Sequence, residues 1–242
     1  RGMFKSKNAE GSILDCKKSG KVFMHLIKLD KGSLKIDDKI EVNVNIEKRE
    51  KTEAHHSATH LVHAALKRVL GDHVKQKGSL VDEHKLRFDF SHDESLSDEE
   101  ISKIEDLVNK EILKNSAVST KIMDLEDAKN SGAESLFGEK YEDQVRVLSI
   151  GEDDFSLELC GGTHISRTGD LGIFIITSQS SVASGIRRIE ALSGPRAQEY
   201  LSNLKNQTIQ LQKLLNAPAE EIEDKVSKLL KENKSLKKSG KT

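Results

Sequence analysis

Two short motifs far apart in the chain, His56-Ser57-Ala58-Thr59-His60 and Cys160-Gly161-Gly162-Thr163-His164, constrain its folding more than any other feature. Each sets two metal-competent side chains four residues apart. Together they offer three imidazoles and one thiolate, a donor set that Zn²⁺ prefers. The leading expectation is a zinc site assembled across the fold.

The first motif lies in Thr52 to Leu70. There Ala58, Leu61, Val62, Ala65, Leu66, Val69 and Leu70 recur at the three-and-four spacing of a buried helical face, and Gly71 stops the pattern. Residues i and i+4 stack on one side of a helix with Cβ atoms about 5–6 Å apart. His56 and His60 can then reach one ion at a Zn–N distance of about 2.0–2.1 Å. His63 falls on the same stripe as His60 and competes for a ligand position, whereas His55 is turned about 100° from His56. His25, His73, His84 and His92 have no partner at a ligand spacing and read as polar surface or cap residues.

The second motif follows Phe155-Ser156-Leu157-Glu158-Leu159, which alternates like a strand and runs into Cys160. Gly161 and Gly162 let the backbone turn sharply and leave amides free of side-chain cover. Such a turn can bring Cys160 and His164 to one point and can offer N–H donors to a substrate oxygen. Taken alone, the segment also reads as a tight turn with a buried thiol.

A chain of 242 residues can hold one large or two modest domains with an ordinary core. Two cysteines, one inside a metal-like motif, argue against a disulfide framework and for a reducing, cytoplasmic compartment. Cys16 reads as a small buried hydrophobe. No apolar run approaches the length needed to cross a bilayer, and Arg1 to Glu10 lacks an apolar signal core, so no membrane partner is expected. The net charge of −1 hides an acidic stretch at Glu94 to Glu111 and basic ones at Lys67 to Lys77 and Lys231 to Lys241. Any nucleic-acid contact is therefore local, and each basic run reads equally as a solvated helix face.

Residues 1–50 read as short strands at Gly11 to Cys16, Lys21 to Leu29 and Lys39 to Ile46, separated by turn signals. Three such strands make an incomplete sheet, the remainder of a small β-domain. Residues 51–195 mix helices and strands without regular alternation, which predicts the α+β class. Strand material includes Leu80-Val81, Leu86 to Phe90, Val118 to Met123, Val145 to Ile150, Phe155 to Leu159, Gly172 to Thr177 and Gly185 to Ala191. A helix opens at a capping box, Ser97-Asp98-Glu99-Glu100, and a short one lies near Leu125 to Lys129. Over 196–242, Leu201, Leu204, Thr208, Leu211 and Leu215, then Ile222, Val226, Leu229, Asn233 and Leu236 repeat at three and four around Pro218. This predicts a helical hairpin or the start of a coiled coil, whose unfinished pattern suggests a truncated chain and offers a surface for a homo-oligomer.

Five stretches now carry a family resemblance. His56-Ser57-Ala58-Thr59-His60-Leu61, Gln76-Lys77-Gly78-Ser79-Leu80 with Leu86-Arg87-Phe88-Asp89-Phe90, Phe137-Gly138-Glu139-Lys140-Tyr141, Cys160-Gly161-Gly162-Thr163-His164 and Arg187-Arg188-Ile189-Glu190-Ala191 occur in this order. The succession resembles the editing domain of alanyl-tRNA synthetases, shared with free-standing relatives that hydrolyse mischarged alanine tRNA. The resemblance implies hydrolysis of seryl- or glycyl-tRNA(Ala) at its acceptor end, with alanyl-tRNA left intact. It puts the zinc ligands on His56, His60, Cys160 and His164, an active-site glutamine on Gln76 and a motif arginine on Arg187. The family precedes this region with a β-barrel bearing a Gly-Gly-Gln loop, so residues 1–50 would be a partial barrel that lacks the loop. Its ATP- and Mg²⁺-dependent aminoacylation domain has no counterpart among these residues.

An aminoacyl ester is already activated, so its hydrolysis needs chiefly a placed water and stabilisation of the developing oxyanion. Four protein ligands close a tetrahedral zinc site, which favours a zinc that positions the amino acid over one that activates water. A serine hydroxyl would then add an interaction that alanine's methyl group cannot. In this reading Gln76 bonds substrate or water, the amides near Gly161 and Gly162 face the carbonyl oxygen, and Arg187 holds a phosphate or acidic partner. The plainer readings are a surface amide for Gln76 and an ion pair of Arg187 with Glu190 or another carboxylate. The competing function is a non-catalytic, zinc-stapled tRNA-binding module. A general metallohydrolase is disfavoured by the lack of an HExxH motif.

Overall fold

The computed structural model describes residues 2–20, 22–135 and 142–239. Helices and strands follow one another without regular alternation, and the chain is α+β as its patterning predicts. It divides into two compact units, Arg1–Gly194 and Pro195–Thr242. Among the described residues, no helix is long and apolar enough to cross a membrane.

The first unit opens with an antiparallel sheet of β1 (Gly2–Lys5), β2 (Ala9–Ser19), β3 (Val22–Gly32) and β4 (Glu41–Val44), in the order β3-β2-β1-β4. It stays open, with no closed barrel among the described residues. Strand β1 was not expected, because four residues are too few to display an alternation. Phe4, Ala9 and Ile13 form its small core with Leu34 packed against them. Beyond Ile13 the β2–β3 hairpin runs past that core, so Cys16 is exposed, 3.7 Å from His25 Nε2. The expectation of a buried Cys16 is thereby corrected: the strand outruns the layer that would cover it.

Helix α1 spans Ile46–Leu70, starting earlier than its apolar stripe. Its first turns are exposed and polar and carry no periodic signal, but Asn45 caps them by accepting from Lys48 N at 2.9 Å. Gly71, at φ 115°, ends the helix in a conformation that a side chain would resist, and its amide bonds Lys67 O at 2.8 Å. Ala54, Ala58, Leu61, Val62, Ala65 and Leu66 are buried along the helix.

A second antiparallel sheet has the order β10-β11-β6-β5, from β5 (Gln76–Val81), β6 (Leu86–Ser91), β10 (Phe174–Ala183) and β11 (Ile186–Ser193). Helix α1 packs on this sheet beside α2 (Asp98–Leu113), whose Ser97 and Glu100 form the predicted capping box. Leu61, Leu66, Phe88, Phe90, Ile104, Phe174 and Ile189 fill the space between, each with almost no exposed surface. Each such side chain contributes about 1.5–3 kcal/mol on burial.

A third sheet, in the order β7-β8-β9, joins β7 (Ser119–Asp124), β8 (Gln144–Ile150) and β9 (Ser156–Leu159), with α3 (Leu125–Asn130) after β7. Strand β9 delivers the chain to Cys160 alongside α1. Phe137 to Tyr141, one of the stretches that carry the family resemblance, lies outside the described residues.

The second unit consists of α4 (Gly194–Leu215) and α5 (Ile222–Ser239) with a short 3₁₀ turn at Ala219–Glu221 between them. Asn216, in the left-handed region at φ 47°, and then Pro218 end α4, as the break in the leucine pattern predicts. Leu204, Leu211, Leu214, Leu229, Leu230 and Leu236 remain exposed along the two helices.

Candidate metal centre

One turn of α1 sets His56 and His60 on the same face, and the turn after β9 lays Cys160 and His164 against them. One donor atom from each of the four residues lies within 4.8 Å of every other. The Cys160 thiol is 3.6 Å from His56 Nε2 and 3.3 Å from His164 Nε2. A tetrahedral shell of nitrogen and sulfur donors has edges of about 3.5 Å, close to both separations. His60 Nε2 is buried without a hydrogen-bond partner, a costly condition that a metal ion would relieve. The donor chemistry and this orphaned nitrogen both fit Zn²⁺.

The far side of each ring is held by protein. His56 Nδ1 lies 3.2 Å from Thr163 O, His60 Nδ1 is 2.7 Å from Glu158 Oε2, and His164 Nδ1 is 3.2 Å from Ser57 Oγ. With an ion bound, protons on these Nδ1 atoms, assigned from their partners, would free all three Nε2 lone pairs for it. Ser57 Oγ also accepts from Ile165 N at 3.2 Å, tying the end of the second motif to the helix. Arg146 staples the turn itself: its guanidinium donates to the carbonyls of Cys160 and Gly162, while Cys160 N donates to Arg146 O at 3.0 Å.

The two glycines differ. A Cβ on Gly162 would lie 2.2 Å from His56 Cε1, so the ring occupies space that only glycine leaves free. At Gly161 no atom lies within 4 Å of such a Cβ, and that side of the turn is open.

Charge follows the geometry. Burial pushes the Cys160 thiol up, but hydrogen bonds from His164 and His56 and the nearness of His60 outweigh it and bring the thiol down to about 3. Burial pushes His60 down, yet the adjacent Glu158 carboxylate more than reverses this, and the ring is held well above its ordinary value. Burial would raise Glu158, but His60 and His63 hold it well below the carboxylate range. For His164, burial prevails and lowers it. Without metal the cluster therefore holds a thiolate against a protonated His60.

His63, the sequence's competitor for a ligand position, turns away from the four donors. Its Nδ1 is 3.0 Å from Glu158 Oε1, and its Nε2 is 3.6 Å from Glu134. His55 Nδ1 is 2.8 Å from Asp82 O. His73 Nε2 and His92 Nδ1 pair at 2.9 Å on the surface.

Gln76 opens β5 and lines a cavity of about 420 Å³ with His63, Lys75, Glu134 and Glu158. That cavity shares Glu158 with the cluster, so Gln76 sits beside the machinery that holds His60. Arg187 lies on β11, where its Nη2 donates to Gln179 Oε1 at 3.2 Å. The ion pair considered for Arg187 falls one residue on: Arg188 grips Asp89 with two bonds, of 2.7 and 2.8 Å, and Glu190 takes Lys85. Sequence reasoning missed Glu158, Ser57, Thr163 and Arg146. Glu158 did carry a signal, as the acid of an alternating strand two residues before Cys160 and hence on its face.

Residues 145–190 match the family described as the threonyl and alanyl tRNA synthetase second additional domain, a span that contains Arg146, Glu158, Cys160, His164 and Arg187. Over 231 residues the chain is 50% identical to an alanine–tRNA ligase of Saccharophagus degradans, covering 96% of this chain and 26% of that protein. It is 49% identical over 237 residues to one of Pseudomonas fluorescens, covering 98% of this chain and 27% of the relative. A third, from Ruthia magnifica, is 50% identical over 219 residues, 90% of this chain and 25% of its own length. The chain thus spans about a quarter of the length of the curated relatives it matches.

Proposed function

We propose, from the premise that this chain belongs to the alanyl-tRNA synthetase family, that it hydrolyses wrongly charged alanine tRNA, releasing serine or glycine and leaving alanyl-tRNA intact. The supporting observation is the convergence of His56, His60, Cys160 and His164, with donor atoms within 4.8 Å of one another. Residues 51–195 form the editing unit in this reading, with 1–50 as a flanking β-domain and 196–242 as a helical segment whose exposed leucines offer a surface to a second copy. The partner is the acceptor end of tRNA(Ala), met in the cytoplasm. Attachment of alanine with ATP and Mg²⁺ is assigned to the part of the longer relatives that this chain does not span.

The reaction adds water to the ester carbonyl carbon, breaks the bond from that carbon to the ribose oxygen and returns a proton to the ribose. Zn²⁺ held by the four donors would supply positive charge beside the amino acid under inspection. Gln76 hydrogen-bonds substrate or water from the wall of the adjoining cavity. The turn at Gly161 and Gly162 presents backbone to the carbonyl oxygen, with Gly161 on its open side. Arg187 holds phosphate from the sheet. A substrate hydroxyl separates serine from alanine because a site arranged to bind a polar group discriminates far better than one that senses a methyl group.

The test is deacylation of seryl-tRNA(Ala) and alanyl-tRNA(Ala) by the purified chain, with and without a chelator. Release of serine but not alanine, abolished by the chelator, supports the reading. A folded, zinc-loaded chain that binds tRNA and releases neither amino acid is the non-catalytic zinc-stabilised tRNA-binding module instead.

A further inference from the structure

Glu158 is the acidic member of β9, and only 6% of it is exposed. A carboxylate so buried persists only when its oxygens are paired. Both are: Oε2 meets His60 Nδ1 at 2.7 Å, and Oε1 meets His63 Nδ1 at 3.0 Å and Ser156 Oγ at 3.3 Å. One side chain therefore grips two rings of α1 from a strand of the third sheet. The anchors of the other two imidazoles are neutral, the Thr163 carbonyl for His56 and the Ser57 hydroxyl for His164. His60 alone of the three leans on a full charge, and its Nε2 is the buried nitrogen without a partner.

We infer that Glu158 is a positioning residue for the metal centre: it fixes the His60 ring with the proton on Nδ1 and the lone pair of Nε2 towards Cys160, and His63 clamps it by its second oxygen. The inference rests on the reading that the four-donor cluster takes zinc. A carboxylate behind a ligating imidazole orients the ring and raises its basicity, and loss of such a partner weakens metal binding by about 10- to 100-fold. A carboxylate serving only to hold β9 against α1 would affect folding and leave the affinity of folded molecules unchanged.

The experiment uses the full chain and its Glu158→Gln and His63→Gln variants. Zinc affinity is read by competition with a chromophoric chelator, and cobalt substitution gives the visible ligand-field spectrum. Glu158→Gln keeps the side-chain volume and removes the charge. Its affinity is expected to fall about 10- to 100-fold with a shifted cobalt spectrum and an unaltered far-UV circular dichroism spectrum. His63→Gln frees one carboxylate oxygen and is expected to lose at the lower end of that range, about tenfold, and it carries the test if Glu158→Gln does not fold. Affinities within twofold of the parent and an unchanged cobalt spectrum in the folded variants would overturn the role of Glu158 alone. A parent chain that binds no zinc would overturn the cluster reading, and this role with it.

Discussion

Gly162 and His56 share one space: a Cβ on the glycine would lie 2.2 Å from the imidazole Cε1. The second motif needs its second glycine because a ring from the first motif fills the place of a side chain. Gly162→Ala must push His56 out of position or reshape the turn, at an overpacking cost of about 1–3 kcal/mol. We predict a loss of zinc affinity of tenfold or more, about 1.4 kcal/mol at least. Gly161→Ala faces open space and should keep the parent's affinity. Equal behaviour of the two variants in a chelator competition would show that His56 does not need the space Gly162 leaves.

The protonation state of the metal-free cluster predicts which protons leave when zinc binds. At neutral pH the Cys160 thiol, brought down to about 3, is already ionised, whereas His60 is held above its ordinary value and keeps its proton. Zinc must displace the proton on His60 Nε2 but none from Cys160, so about one proton should be released per ion near pH 7.5. Calorimetric titration in buffers of different ionisation enthalpy counts it. A release of two would show that Cys160 begins as a thiol.

The same low value predicts reactivity. In a Cys16→Ser background, Cys160 of the metal-free chain should be alkylated by iodoacetamide already at pH 5–6, where an ordinary thiol is almost wholly protonated. Zinc should protect it. Mass spectrometry that finds no modification below pH 7 without zinc, or equal modification with it, would contradict the cluster geometry.

Much of the centre was legible in the sequence because its rules are local. Fourfold spacing on a helix and a Cys-Gly-Gly turn each place two ligands with no knowledge of the fold, and the Ser97–Glu100 capping box is likewise set within four residues. The choice of His56 over His63 was not local. Both lie on the helix beside His60, and only the neighbouring strand, which brings Glu158 to His63, separates them. Arg146 carried no signal, because its role depends on β8 lying next to β9. The misjudged Cys16 has the same origin: its strand alternates as a half-buried strand should, but the layer that would cover its far end is not beneath it. The start of α1 was hidden because its first turns are polar and exposed.

The core on which the centre rests gives a stability prediction. Phe88, fully buried on β6, stacks on Phe90 at 6.1 Å between ring centroids and meets the His63 ring at 5.2 Å. Phe88→Ala should cost about 3–5 kcal/mol in urea unfolding. Leu204→Ala, at an exposed position on α4, should stay within about 0.5 kcal/mol. A mild effect at Phe88 would mean that the packing between α1 and the second sheet does not support the fold.

Gln76 lies outside the four donors, so its loss should separate chemistry from metal binding. Gln76→Ala is predicted to lower kcat/KM for seryl-tRNA deacylation about 100- to 1000-fold with zinc content unchanged. A parallel fall in zinc would make Gln76 part of the centre's support, and unchanged deacylation would make it a surface amide.

A zinc-dependent editing site is tested most sharply by zinc content and seryl-tRNA(Ala) deacylation measured together on the parent chain and on Cys160→Ala. About one zinc per parent chain with serine released is expected, and loss of both from a variant whose circular dichroism spectrum is retained. A folded parent that carries zinc and leaves seryl-tRNA(Ala) intact, or a zinc-free Cys160→Ala variant that hydrolyses it at the parent's rate, would contradict such a site.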